Sequence, residues 1–176
     1  TPGPLIGILR IERMVGSSRF VQEISLRRGS RRVEFATVID WQEQHRLLKV
    51  AFPVTMQSDD ALHEIQFGHI RRPAHLSRPF DADRFEVCCH RWSALVEETR
   101  GFAVLNDCKY GVNVRDGSIN LTLLRAPMAP DPTADRGRQE FTYACFLWNG
   151  PFAGSTLIQQ GYELNNQPLI LPGSGE

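Results

Sequence analysis

The sequence predicts an all-β protein, an antiparallel sandwich or barrel. Segments in which apolar and polar residues alternate recur roughly every eight to twelve residues, and turn signals separate them. About eleven strands and at most one short helix can be placed in this way. No internal sequence repeat is visible, which argues against a propeller or a solenoid.

In the first half of the chain, strands are separated by glycine, serine and aspartate. Gly16, Ser17 and Ser18 mark a hairpin turn between the first two strands. The segment 45–54 is apolar on both faces, which is typical of a central strand, and Pro53 suits its end. Gly68 is expected to form a bulge or to allow a close approach of another group, and 71–83 is expected to form a loop. The strands predicted here are 5–14, 20–27, 33–40, 45–54 and 61–70.

The second half repeats this pattern with one interruption. Ser93 is a candidate N-cap, so the segment 93–100 is predicted to form a short helix, with a turn as the alternative. Asp116 and Gly117 give a strong hairpin signal between two strands. The strands predicted here are 85–89, 102–105, 110–114, 118–124, 141–148 and 155–164.

A chain of 176 residues is long enough for a single domain with its own core. The formal net charge is zero, so no overall field attracts nucleic acid. The one basic cluster, RRGSRR at 27–32, surrounds the turn residues Gly29 and Ser30. We predict a solvated hairpin tip there, with a phosphate or acidic partner as the alternative.

No apolar run reaches the eighteen residues that suggest a transmembrane helix, and no signal peptide is visible, so we expect a cytoplasmic protein without a membrane partner. The opening Thr1-Pro2-Gly3 suggests a piece of a longer protein, and 169–176 is predicted to be a disordered tail. The cysteines form no CxxC pair and are predicted to be free thiols in a reducing compartment. They are Cys88, Cys89, Cys108 and Cys145.

The stretch APMAPDPTADRGR at 126–138 separates two alternating segments. Its three prolines cannot join a sheet ladder, so an irregular loop is predicted for 126–135. Asp131 and Asp135 are four residues apart, and Arg136 and Arg138 flank Gly137. The functional interpretation is a loop that contacts a sugar or an anion, and the structural one is a solvated loop with a local Asp–Arg ion pair.

Several residues could carry chemistry by their type alone. Glycoside hydrolysis needs two carboxyl groups, for which the candidates are Asp107, Asp131, Asp135 and Glu140; each is also a normal turn or cap residue. Four aromatic residues could stack on sugar rings, although core packing explains them as well. These are Trp41, Trp92, Tyr110 and Trp148.

Metal and thiol chemistry receive weaker support. His63, His69 and His75 are six residues apart, and on one strand His63 and His69 would be separated by about 20 Å, too far to share an ion. Cys108 and His90 are a possible nucleophile pair, but nothing in the sequence orients the histidine, which favours a structural thiol.

Seven stretches, taken together and in order, resemble the C-terminal β-domain of the α-mannosidases of glycoside hydrolase family 38, with the cytosolic and bacterial branch most similar. The resemblance runs from about Leu5 to Pro168, and NDCKYG and DPTADRGR are its most specific parts. The stretches are DWQEQHRLLKVAFPV (40–54), EIQFGHIRRPAH (64–75), RFEVCCHRW (84–92), GFAVLNDCKYG (101–111), LLRAP (123–127), PDPTADRGRQEFTYA (130–144) and YELNNQP (162–168).

The resemblance implies a large antiparallel β-sandwich, a supersandwich like that of galactose mutarotases. For the parent enzyme it implies retaining hydrolysis of terminal α-mannosides with zinc holding the sugar. In the family the catalytic aspartate and the zinc ligands belong mainly to an N-terminal region. The resemblance therefore implies no catalytic residue and no metal site in this chain, and an isolated chain that is inactive.

In the family, loops of this domain reach the sugar pocket. The resemblance assigns that role first to Arg136 with its neighbours Asp135 and Gly137. Arginine donates to sugar hydroxyls, and glycine permits a close approach. A second loop is expected on the same rim, with Asn106, Asp107, Lys109 and Tyr110. The implied partners are the parent's own N-terminal catalytic domain and a mannose-containing glycan.

Two other functions remain open at this point. One is a stand-alone carbohydrate-binding or protein-interaction sandwich, which would bind sugar without the rest of the enzyme. The other is a mutarotase-like epimerase, which would need His69 or His90 to converge with Asp107.

Overall fold

The computed structural model describes residues 3–83, 85–166 and 168–169. Strands dominate, as predicted, and the only α-helix in this part of the chain is short. Residues 170–176, most of the predicted disordered tail, lie outside the described residues. The strands are β1 (Ile6–Val15), β2 (Ser18–Arg27), β3 (Arg32–Trp41), β4 (Leu48–Pro53), β5 (Asp60–Ile65), β6 (Gly68–Pro73), β7 (Val87–Cys88), β8 (Trp92–Val96), β9 (Arg100–Asn106), β10 (Gly111–Arg115), β11 (Ser118–Leu124) and β12 (Gly137–Asn149), and the helix is α1 (Leu157–Asn165).

Two antiparallel sheets form the scaffold. The larger has the order β1-β2-β3-β12-β9-β8-β5-β6, and the smaller has the order β4-β11-β10-β7. The hairpins predicted at Gly16–Ser17 and at Asp116–Gly117 are confirmed. Both turns place residues at positive φ, which explains the glycines there. The long strand β12 lies in the middle of the larger sheet between β3 and β9.

The main core lies between the two sheets. Phe52 of the smaller sheet contacts the rings of Phe35, Phe102 and Tyr143 of the larger sheet, with ring centroids 5.8 to 6.1 Å apart. Trp41 and Ile39 are fully buried beside them. Alternation along the strands places these residues on the inner faces, as a sandwich requires.

A second core covers the outer face of the larger sheet. Leu157 and Leu164 of α1 pack there with Trp92 and Trp148. The Arg91 guanidinium lies 3.7 Å from the centroid of the Tyr162 ring of α1. It also forms an ion pair with buried Glu64, at 2.6 Å, which links the helix to β5. The molecule therefore has three layers: small sheet, large sheet and helix.

Two sequence predictions of secondary structure are wrong because distant contacts decide these segments. Residues 155–164, predicted as a strand, are largely in α1, where Gly161 fits against the Trp92 ring. Residues 93–100, predicted as a helix, form most of β8, a turn and the start of β9. Ser93 is buried and bonds His63 instead of capping a helix, with 2.9 Å between Ser93 Oγ and His63 Nδ1.

The predicted strand 61–70 is instead a hairpin of β5 and β6. Phe67, at φ 65°, occupies the turn, and Gly68 begins β6 rather than forming a bulge. His63 pairs with Ile70 across the hairpin while His69 pairs with Glu64, so the two histidines face opposite sides. His69 accordingly lies against Trp92 and Phe152 on the outer face, with ring centroids 6.0 and 5.1 Å apart.

The predictions for 45–54 and 85–89 are also corrected. The first segment contains β4, which lies at the edge of the smaller sheet rather than at its centre. The second is reduced to the two residues of β7, and Phe85 is exposed.

Candidate functional site

The two loops singled out by the sequence lie at the same end of the sandwich. Strand β9 ends at Asn106 and β10 begins at Gly111, so a short loop joins the larger sheet to the smaller one there. Strand β11 ends and β12 begins at this same end, because each is antiparallel to its neighbour in register. We name residues 107–110 the β9–β10 loop and residues 125–136 the β11–β12 loop.

The two aspartates of the β11–β12 loop organise its backbone. The Asp135 carboxylate, with the backbone at φ 62°, accepts hydrogen bonds from the N–H groups of Arg125 and Ala126, at 2.8 and 3.0 Å. Asp131 accepts from the N–H and the hydroxyl of Thr133, at 2.8 and 2.7 Å, and these bonds lower the pKa of Asp131. Both carboxylates are therefore occupied in closing the loop.

Arg136 and Gly137 form the open part of this loop. The Arg136 side chain is exposed and has no ion pair with Asp131 or Asp135, whereas Arg138 pairs with Glu140. Gly137 begins β12 at φ 86°, a conformation that favours glycine, and no atom lies within 4 Å of the position that a Cβ would take. A ligand can therefore approach this backbone closely while Arg136 remains free to donate.

Asn106 lies beneath the β9–β10 loop and binds its backbone. It is 1% exposed, its amide donates to the carbonyl of His90 at 2.7 Å, and its Oδ1 accepts from the N–H of Lys109 at 2.7 Å. These bonds hold the loop between the two sheets. The side chain of Asn106 is thus engaged with the protein itself rather than with the surface.

Asp107 attaches the same loop to β12. Its Oδ2 accepts from the N–H of Thr142 at 2.8 Å, and its own N–H donates to the Thr142 carbonyl at 3.1 Å. Its Oδ1 is buried with no hydrogen-bond partner among the described residues. Asp107 therefore holds the β9–β10 loop against β12 through its contacts with the backbone of Thr142.

Lys109, Tyr110 and Cys108 complete the β9–β10 loop. Lys109 Nζ lies 4.7 Å from the centroid of the Phe141 ring of β12, and Tyr110 is 54% exposed with its ring against His90. Burial, followed by the nearby Asp107 carboxylate, raises the pKa of the Cys108 thiol to about 11. Cys108 is therefore a neutral thiol near pH 7, which does not favour the nucleophile pair.

The two loops flank the first half of β12 without touching each other through the predicted residues. Thr142, which binds Asp107, is five residues from Gly137, which corresponds to about 17 Å along a strand. Strand β9 pairs with β12 only from Tyr143 onward, so residues 137–141 have β3 on one side and no strand on the other within the described residues. The first part of β12 is therefore an open sheet edge, which begins at Gly137 and ends at Thr142, where Asp107 is bound.

The candidates for catalytic and stacking roles are mostly accounted for by structure. Asp107, Asp131 and Asp135 bind backbone N–H groups, and Glu140 is exposed. In the described ranges, no three His, Cys, Asp or Glu residues are grouped as metal ligands. The three tryptophans are core residues at 2%, 1% and 4% exposure, which leaves Tyr110 as the surface aromatic of the four candidates.

The sequence did not predict a groove beside the β11–β12 loop. Its volume is about 500 Å³, and it lies between that loop and the loop before β4. The His45 N–H donates to the Ala126 carbonyl at 3.0 Å and joins the two loops. The polar residues directly before 48–54 were the sequence signal from which a loop at this groove could have been predicted. The lining residues are His45, Arg46, Leu47, Arg125, Pro127, Met128 and Ala129.

None of the described helices has the length and apolar character needed to cross a lipid bilayer.

Comparison with known proteins gives consistent matches. Residues 1–133 match the glycosyl hydrolases family 38 C-terminal domain. The chain is 50% identical over 156 residues to alpha-mannosidase 2C1 of Homo sapiens, covering 89% of this chain and 15% of that protein. It is 44% identical over 155 residues to alpha-mannosidase G of Dictyostelium discoideum, covering 88% and 14%.

Solved structures show the same fold at lower identity. An alpha-mannosidase from Enterococcus faecalis V583 superposes with a TM-score of 0.74 and 19% identity, covering 82% of this chain and 17% of that one. The chain thus spans about one-seventh of the length of the curated relatives it matches.

Proposed function

The chain belongs to the C-terminal domain family of the family 38 glycosyl hydrolases, and from that premise we propose that it is the non-catalytic C-terminal β-domain of an α-mannosidase. The observation that carries the proposal is the 50% identity to an alpha-mannosidase across 89% of the chain. Because the chain spans only 15% of that relative, we assign the hydrolysis of terminal α-mannosides to the longer protein.

In this proposal the open edge of the first half of β12 is one wall of the sugar pocket. Arg136 is the residue best suited to contact the glycan, since its guanidinium is exposed and guanidinium N–H groups donate to hydroxyls. Gly137 allows the approach, and Asp135 holds the loop in place. At the other end, Tyr110 and Lys109 are accessible, while Asn106 and Asp107 fix the backbone below them.

The remaining partner is the catalytic domain of the same polypeptide. We propose that the zinc ion implied by the family is held by the catalytic domain. The four free thiols agree with a reducing, cytoplasmic location.

Arg136→Ala in the longer mannosidase is expected to lower kcat/KM for an aryl α-mannoside about tenfold, the equivalent of roughly 1.4 kcal/mol, as for one charged hydrogen bond. The matched control is Arg138→Ala, two residues away. Arg138 is 71% exposed and already paired with Glu140, so its loss should leave kcat/KM within about twofold. Equal effects of the two substitutions on kcat/KM would show that Arg136 does not contact the glycan.

The isolated chain is expected to show no mannoside turnover, with or without added zinc, and only weak binding of mannose by titration calorimetry. Both results follow if chemistry and most of the sugar contacts reside in the catalytic domain. Zinc-dependent turnover by the purified chain would contradict the proposal. Tight mannose binding by the chain alone would instead support the stand-alone carbohydrate-binding sandwich.

The epimerase alternative has little geometric support. It needs a histidine close to Asp107, but His69 lies on the outer face against Trp92 and Phe152. His90 packs on Tyr110, and the bonded oxygen of Asp107 receives the N–H of Thr142. No hydrogen bond joins either histidine to Asp107 in the described part of the chain.

A further inference from the structure

A small polar cavity is lined by residues of the β5–β6 hairpin of the larger sheet and of strand β10 of the smaller one. Its volume is about 40 Å³, whereas a single water molecule needs roughly 10–15 Å³. The loop that follows β6 supplies further lining residues, and the whole lining lies outside the two loops of the candidate site. The polar lining residues are His63, Arg72, His75, Asp81, Asn113 and Arg115.

His63 brings a buried ring nitrogen to this cavity. Its side chain is 2% exposed, and Nδ1 lies 2.9 Å from the hydroxyl oxygen of Ser93. In the tautomer in which Nδ1 accepts from that hydroxyl, Nε2 carries the hydrogen and is a donor. Within the described part of the chain no hydrogen bond reaches Nε2. A donor buried in this way needs an acceptor, and the cavity is the place where one can lie.

Two arginines bring positive charge to the same cavity, one from each sheet. Arg72 is in register with Ala61, two residues from His63, so Arg72 and His63 share one face of the hairpin. The Arg72 guanidinium donates to the Cys88 carbonyl at 3.2 Å. Arg115 of β10 is half-buried and forms no ion pair among the described residues. The charge of Arg72 also contributes, after burial, to the lowered pKa of His63, as a positive potential in the cavity requires.

The acceptors on the cavity wall are already occupied. The Asp81 carboxylate accepts from the N–H groups of Ser77 and Arg78 and from the Arg78 guanidinium, at 2.9 to 3.3 Å. The bond from the Arg78 side chain is the main cause of the lowered pKa of Asp81. Asn113 Oδ1 accepts from Asn120 Nδ2 at 2.8 Å, which leaves the Asn113 Nδ2 group as a donor. The cavity therefore has an excess of donors and of positive charge.

We propose that this cavity binds one small inorganic anion of the size of chloride, held by His63 and Arg72 of the larger sheet and by Arg115 of the smaller one. Such an ion needs hydrogen-bond donors and positive charge, and the wall supplies both. Because β5 and β6 lie at the edge of the larger sheet, the anion joins that edge to the smaller sheet. The inference goes beyond the proposed function and does not depend on it.

Other occupants fit this cavity less well. A metal cation would lie beside two guanidinium groups, which repel it. A sugar ring is too large for a space of about 40 Å³. Ordered water is the remaining occupant, and it is the alternative outcome of the experiments below.

Bromide tests the site directly, because it has the charge of chloride and can be located by its anomalous scattering. Crystals of the chain grown in sodium bromide should show an anomalous peak inside the cavity, in contact with His63 Nε2 and the guanidinium groups of Arg72 and Arg115. A peak at this position supports the proposal. Density for water alone, without an anomalous signal, would overturn it.

Chloride should also stabilise the folded chain in solution, because an ion that binds only the folded state shifts the unfolding equilibrium. We expect the melting temperature to rise by about 3 °C or more when sodium chloride replaces sodium glutamate, from about 5 to 200 mM at constant ionic strength. Glutamate is too large for the cavity and serves as the non-binding anion. Arg72→Gln should reduce the rise to less than about 1 °C, since it removes one of the two charges.

Arg71→Gln is the matched control for Arg72→Gln. Arg71 is the neighbouring residue on β6, is exposed and faces the opposite side of the strand, so its loss should leave the chloride response intact. Arg115→Gln repeats the test from the other sheet and decides it if Arg72→Gln does not fold. A chloride response that is equal in Arg71→Gln and in the two cavity variants would identify a general salt effect and overturn the proposal.

Discussion

Replacing Gly101 with alanine is expected to destabilise the folded chain by about 3 kcal/mol, near the upper end for overpacking a core. Gly101 pairs directly with Trp148 across β9 and β12, and the indole occupies the space beside the glycine. A Cβ built on Gly101 would be 1.9 Å from Trp148 Cζ2. Trp148 is 4% exposed and stacked on Phe146, so the ring has little room to move.

The measurement is urea unfolding of the isolated chain followed by tryptophan fluorescence and circular dichroism. Gly7→Ala is the matched control, because Gly7 also lies in a strand and nothing is within 4 Å of its Cβ position. We expect a change within about 0.5 kcal/mol there. In a Trp148→Phe background the smaller ring should reduce the cost of Gly101→Ala, and an unchanged cost would show that the clash is not its source.

The fold class and the hairpins could be predicted because local signals determine them. Alternation identifies a strand, and Asp116-Gly117 specifies a turn, whatever the rest of the chain does. The segments at 93–100 and 155–164 could not be assigned in this way. Ser93 is drawn into a strand by its buried bond to His63, and α1 forms because Leu157, Gly161 and Leu164 face Trp92 across the outer core.

In the candidate site, too, features set by local sequence could be predicted and features set by distant contacts could not. Prolines were sufficient to predict the β11–β12 loop, and the bonds from Asp135 to the backbone of Arg125 and Ala126 are local to it. The roles of Asn106 and Asp107 depend on His90 and Thr142, which are distant in sequence. Residue types therefore predicted the two loops, but only the three-dimensional contacts separate the side chains that hold these loops together from those that face outward.

Strand β4 is a case in which the incorrect prediction is informative. Its alternate residues Leu48, Val50 and Phe52 pack against the main core, whereas Lys49, Ala51 and Pro53 lie on the other face. The apolar run therefore showed that this segment is a strand, but the Lys and Pro on its outer face are features typical of an edge strand, which the sequence analysis did not weigh.

Lowering the pH from 7 to 5 is expected to reduce the free energy of unfolding by about 2 kcal/mol through His63 alone. His63 is 2% exposed and lies on the inner side of β5. Burial first, and the charge of Arg72 second, lower the pKa of His63 to about 4 in the folded chain, from 6.5. Below pH 6.5 the unfolded chain therefore binds a proton at His63, whereas His63 of the folded chain stays neutral until the pH approaches 4.

The sign and the window follow from these two values. The contribution of neutral His63 to the free energy of unfolding is complete above pH 6.5 and declines between pH 6.5 and 4. Below pH 4 it is fully lost, and the total loss is about 3 kcal/mol. Carboxylates whose pKa values are lowered, such as Asp81 and Glu86, add their own losses at more acidic pH. The interval from pH 7 to 5 therefore isolates the histidine.

His63→Gln provides the critical comparison, because an amide can keep the hydrogen bond to Ser93 but does not titrate. The difference in unfolding free energy between pH 7 and pH 5 should fall below about 0.5 kcal/mol in this variant, whatever its stability at pH 7. His75→Gln, at an exposed position lining the same 40 Å³ cavity beside Arg72, Asp81 and Arg115, should retain the full difference. An undiminished difference in His63→Gln would place the titrating group elsewhere, and would mean that the inner side of β5 admits a charged imidazole.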